Sequence, residues 1–179
     1  MKWTTCFSDD TIGRKRSTRG PRSHYQIDFD RLIFSSAFRR LQSKTQVFPL
    51  PGTSFVHNRL THSLEVASVG RSLGAIVGAF IAQEEIPQSD QHAQNFYQVE
   101  LANVISAACL AHDVGNPAFG HSGEEAISNF FRENELSIID GKQLKSYYSD
   151  KEWNDLVNFE GNANAVSYTH LTLPTNREV

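Results

Sequence analysis

"LTHSLEVASVGRSLGAIVGAFIAQEE" (residues 60–85) decides the fold class. Val66, Val69, Leu73, Ile76, Val77 and Phe80 recur in it at helical spacing and form one apolar stripe. Extended back by one turn, the stripe reaches His62. The expectation is one long helix from about Leu60 to Glu85, with His62 on its buried face.

Upstream, Leu32, Phe34, Phe38 and Leu41 predict a helix from Asp28, stopped by the prolines and glycine of "FPLPGTS" (48–54). Downstream, "IPQSDQHAQNFY" (86–97) is a polar break. A helix from about Gln98 to Asp113 follows it, with Leu101, Val104, Ile105 and Ala108 on one face. One turn after Ala108 that face also ends in a histidine, His112. "SGEE" (122–125) has the form of a capping box and predicts a helix from about Gly123 to Asn134. A last helix is expected over 142–157. No segment alternates with the period of a strand, so the fold class is all-α.

Composition sets wider bounds. The chain has 179 residues, 39% hydrophobic and 21% charged, with a formal net charge of -3, ordinary values for a soluble globular domain. That net charge gives no overall attraction to nucleic acid. "GRKRSTRGPRSH" (13–24) is a local exception, rich in Lys and Arg with no acid; it reads equally as a solvated arm and as a phosphate or nucleic-acid contact. Cys6 and Cys109 lack paired spacing, and Cys109 is expected as a buried, reduced thiol. No uninterrupted apolar run approaches the ~20 residues of a membrane span, and the N-terminus lacks a signal-peptide core. The expectation is a cytoplasmic protein with no membrane partner.

The chemistry gathers in "LAHDVGNPAFGHSGEE" (110–125). A lone His on an apolar face is more often a satisfied core residue than a ligand. Two of them, with Asp113 directly after the second, are harder to read that way. A buried carboxylate needs a cation, a metal or donors, and imidazole with carboxylate suits a divalent metal. His121 and Glu124 follow the turn Gly115–Gly120; they read either as a proton-shuttling pair or as a helix start with a favourable acid. Arg59 alone reads as a surface ion pair.

"RLTHSLEV" and "AHDVGNPAFGHSGEEAI" together resemble the HD superfamily of metal-dependent phosphohydrolases. "DRLIFSSAFRRLQSKTQVFPLPG" and "NFEGNANAV" narrow the resemblance to the deoxyguanosine triphosphate (dNTP) triphosphohydrolase family, over about residues 13–166. A His usually stands in that family where this chain has Asn158. The resemblance implies a helical HD domain that cleaves a deoxynucleoside triphosphate, dGTP foremost, to deoxynucleoside and triphosphate. It implies His62, His112 and Asp113 as ligands of Mg²⁺, Mn²⁺ or another transition metal, and His121 and Glu124 as the catalytic pair. It further implies Gln46 at the sugar, Arg59 at phosphate and Asn116 in the cavity, with homo-oligomers when full length.

The family adds a distal Asp to the metal shell, and no Asp follows Asp155 here. The expected organisation is a basic arm (1–24), a partial HD domain (25–166) and a tail (167–179) foreign to the family, in a chain that is an N-terminal fragment. Another HD phosphohydrolase (a nucleotidase or an alarmone hydrolase) and a non-catalytic nucleotide-binding domain are the alternatives.

Overall fold

The computed structural model describes residues 2–8, 22–45 and 58–172, the residues from 167 onward by backbone alone. Its architecture is helical, as expected. Helix α1 spans His24–Phe34, α2 Ser36–Arg40, α3 Arg59–Glu84, α4 Gln91–Asn95 and α5 Leu101–Ala111. Helix α6 spans His121–Glu133, α7 Asp150–Val157 and α8 Gly161–Thr172. One two-stranded antiparallel ladder, β1 (Ile138–Ile139) with β2 (Lys142–Gln143), departs from the strand-free expectation. Asp140 and Gly141 both take positive φ (49° and 79°) at its turn, the conformation a two-residue hairpin needs.

Helix α3 is where the expectation from sequence predicted, but it is rotated. Asn58 caps it: its side chain accepts from the Thr61 N–H at 2.9 Å, and Thr61 Oγ1 accepts from the Asn58 N–H. The expected buried stripe faces outward, with Val69, Leu73, Ile76 and Phe80 each more than half exposed. The buried face is instead Ser63, Ala67, Gly70, Gly74, Gly78, Ile81 and Ala82. Size explains the reversal. This face lies so closely against α5 and the residues just before it that a Cβ on Gly78 would collide with the Tyr97 carbonyl. One on Gly74 would come within 3.1 Å of Ala102 Cα. Helices approach this closely only through small side chains. By length and mean composition α3 also meets the requirement for crossing a membrane, although Glu65 and Arg71 interrupt its apolar run.

The expected polar break is shorter than predicted: the chain leaves α3 after Glu84 and is helical again from Gln91. Asp90 caps α4 through the Ala93 N–H, and a π turn over Phe96–Glu100 joins α4 to α5. Phe96 and Tyr97 are buried there, and the first residues pack on them. Phe7 stacks on Phe96 at 4.1 Å, and Tyr97 donates its hydroxyl to the Trp3 carbonyl. Residues 2–8 are therefore docked on the helices; 9–21, which hold most of the basic segment, lie outside the described residues. Buried Glu100 accepts from Ser23, the cap of α1, and from Asn103.

A second cluster of Leu32, Ala37, Phe38, Leu41, Ala67, Leu110 and Val114 binds α1 and α2 to the site end of α3 and α5. Phe34, counted in the expected stripe, is exposed because the helix breaks at Ser35, which caps α2. Cys109 is half-buried, not fully buried, and free, with its Sγ against Gly70.

Toward the C-terminus, Gly120 and not Ser122 precedes α6, so "SGEE" does not form a capping box. The true box of this region is Ser149 with Glu152, which starts α7 after β2 and a 3₁₀ turn where a single helix was expected. Helix α8 carries the chain through 167–172, the first residues of the expected tail.

Candidate active site

Three sequence-predicted residues converge where α3 begins and α5 ends. His62 lies in the first turn of α3; His112 and Asp113 follow Ala111. One nitrogen or oxygen from each lies within 4.8 Å of the others. The two imidazole rings stand 5.3 Å apart, and His112 Nε2 is 3.6 Å from Asp113 Oδ2. His112 is exposed and His62 half-buried, so both histidines sit at the edge of the core rather than inside it as the stripe suggested. His112 Nδ1 donates to the Cys109 carbonyl at 2.7 Å. A carbonyl only accepts, so this bond places a proton on Nδ1 and turns Nε2 toward Asp113.

Two imidazoles and a carboxylate at this spacing fit a divalent metal. The bond from His112 to a backbone carbonyl fits as well, because it is the partner a ligating His ordinarily has.

Asp113 is almost wholly buried, and two polar neighbours grip one of its oxygens. Its Oδ1 accepts from Arg59 Nη1 and from Asn116 Nδ2, each at 2.6 Å. Arg59 is buried too, so it is no surface ion pair. Its guanidinium lies beside Gly120, where a Cβ would come 3.3 Å from Nη2. Lys44, which the sequence reading did not single out, donates from Nζ to the Asn116 carbonyl at 2.6 Å. Burial lowers the Lys44 pKa, and the Arg59 charge lowers it further. Lys44 lines a cavity of about 200 Å³ with Arg40, Asn116, Phe159 and Asn164. Gln46 lies outside the described residues.

The second half of the site opens α6. His121 Nδ1 donates to Glu124 Oε2 at 2.8 Å, with His121 fully exposed and Glu124 largely buried. Glu124 Oε1 accepts from the Gly161 N–H at 2.9 Å. These two bonds, His121 first, hold the Glu124 carboxyl below its ordinary range, against the opposing effect of burial.

Gly161 joins the halves. A Cβ there would strike Asn116 Oδ1 and come 2.8 Å from Glu124 Oε1. Sequence reasoning saw "FEGN" only as a resemblance; close backbone approach is the physical reason for its glycine. Asn158, the departure from the family pattern, is exposed at the end of α7 and takes its contact from Arg132, away from these residues.

The arrangement defines a helical domain with a His–His–Asp donor set beside a His–Glu pair. The HD domain family model matches residues 59–176, and the chain belongs to that family. The chain is similar to a deoxyguanosinetriphosphate triphosphohydrolase-like protein of Pseudomonas aeruginosa, 45% identical over 165 residues, covering 91% of this chain and 34% of the relative. It is similar to one of Listeria monocytogenes, 39% identical over 173 residues, covering 93% and 36%. A deoxyguanosinetriphosphate triphosphohydrolase of Salmonella typhimurium is 32% identical over 188 residues, covering 91% and 37%. The chain thus spans about a third of the length of these relatives.

Proposed function

We propose that this chain carries the catalytic centre of a metal-dependent phosphohydrolase that cleaves a deoxynucleoside triphosphate, with dGTP the favoured substrate, to deoxynucleoside and triphosphate. The observation that carries the reading is the convergence of His62, His112 and Asp113 within 4.8 Å, joined through Asn116 and Gly161 to the His121–Glu124 pair. The names of the relatives support the substrate.

A divalent ion held by those three residues would offset phosphate charge and lower the pKa of water. The residues supply the rest. Ionised Glu124 accepts from His121 Nδ1, which keeps that proton in place and directs Nε2 outward. Nε2 is then the atom at which a proton is taken from the attacking water or given to the departing 5′ oxygen. The exposure of His121 leaves it open to a bound nucleotide. Gln46 is assigned to the sugar 3′-hydroxyl, and Asn116 to the cavity wall.

The test reads product identity rather than rate. With Mn²⁺ and dGTP, release of intact triphosphate is the expected result. Orthophosphate or pyrophosphate would assign another HD phosphohydrolase, and binding without any turnover a regulatory nucleotide-binding domain.

A further inference from the structure

Arg59 and Asn116 crowd onto a single oxygen of Asp113, and the other oxygen is the one turned toward His112. Both 2.6 Å bonds end on Oδ1, whereas Oδ2 faces His112 Nε2 at 3.6 Å. A carboxylate with free rotation about its last bond offers either oxygen to a ligand; this one does not rotate without breaking two charge-assisted bonds. Arg59 sits three residues before His62, on the turn of α3 that also holds that ligand, so the clamp and the second imidazole share one rigid element. Asn116 is itself pinned from behind, its carbonyl held by Lys44 Nζ.

We propose that Arg59 and Asn116 are positioning residues for the metal. They lock Asp113 by Oδ1 so that Oδ2 joins His62 and His112 in one donor set. This assigns the Arg59 guanidinium a role in building the centre, distinct from the phosphate contact that resemblance implies for it, and it rests on the metal reading of the site. Partners that orient a ligand typically matter about 10–100-fold in metal affinity.

Mn²⁺ titration of the whole chain, followed by electron paramagnetic resonance and paired with thermal unfolding, tests the assignment. Asn116→Ala removes one bond at a half-buried position and is expected to weaken Mn²⁺ about 10-fold with little change in Tm. Arg59→Met is expected to weaken it further, up to about 100-fold. Arg59→Lys, which keeps a cation on Oδ1, should recover part of that loss. Wild-type affinity in Asn116→Ala, or tighter binding in a folded Arg59→Met, would overturn the proposal; tighter binding would mean that the guanidinium competes with the metal. If Arg59→Met does not fold, the Asn116→Ala result decides. Asp113→Asn separates the two readings. If it abolishes Mn²⁺ binding while the Arg59 and Asn116 variants bind normally, the metal reading stands and the clamp alone is refuted. No Mn²⁺ binding by the wild type refutes both.

Discussion

Asp113 and Glu124 are two carboxylates of one site in opposite surroundings. Asp113 is enclosed by the core and held by a buried guanidinium and an amide. Glu124 lies at the start of a helix and is held by a fully exposed imidazole and one backbone N–H. Stability and chemistry are therefore coupled differently in the two halves. In the metal half the carboxylate and its guanidinium partner are part of the packing, so Asp113 and Arg59 cannot be changed without disturbing the fold. The proton-transfer half is mounted on the surface, so its chemistry can be removed and the scaffold kept.

The sharpest way to break this contrast is Asp113→Ala. It leaves Arg59 charged and buried without its partner, and a loss of about 3–5 kcal/mol in urea unfolding is expected, together with loss of Mn²⁺ binding. A variant as stable as the wild type would remove the distinction. Glu124→Ala comes next. It orphans the Gly161 N–H and should cost about 1–2 kcal/mol, while Mn²⁺ affinity stays near wild type.

Acid titration sharpens the same point. The folded-state pKa of Glu124 is lowered. Its contribution is therefore fully present above the ordinary carboxylate value of about 4.3 and is lost as pH falls through the lower folded value. Unfolding of wild type and Glu124→Gln should therefore converge as pH drops below about 4. Parallel curves down to the lowest pH would contradict the assignment. The smallest structural effect belongs to His121→Ala, within about 0.5 kcal/mol of wild type by unfolding. The same variant should still bind Mn²⁺ and lose about 100-fold or more of any triphosphate release.

The sequence revealed the elements better than their orientation. Periodicity placed α3 within a residue of its observed ends, yet chose the wrong face. Large apolar residues mark a stripe, but close helix contact selects Ser63, Ala67, Gly70, Gly74 and Gly78, which a count of bulky hydrophobes passes over. His62, His112 and Asp113 were legible because histidines end two helical patterns and an acid follows one of them. Arg59 was legible as a residue but not as a buried one, since its partner lies 54 positions away. Lys44 acts through a backbone carbonyl, a contact that leaves no mark in residue type or spacing, and Gly161 is marked only by being a glycine. Ser122 misled because a capping box is defined by the residue that ends the helix backbone, and here that is Gly120.

The π turn at Phe96–Glu100 has a consequence for the metal centre some twelve residues downstream. A π turn holds one residue more than the α-helical path around it, so it acts as a phase shift in a helix that otherwise runs from Gln91 to Ala111. At its start, Phe96 and Tyr97 are set by packing against α3 and the N-terminal aromatics. Downstream, the shift sets the compass bearing at which His112 and Asp113 leave α5. A one-residue deletion in the regular helix that follows, Leu101–Ala111, has no such surplus to absorb it; it would turn that bearing by about 100° and point both ligands away from His62, with every ligand still present in the sequence. The spacing from the packed aromatics to His112, as much as the identity of the ligands, is what writes the metal centre.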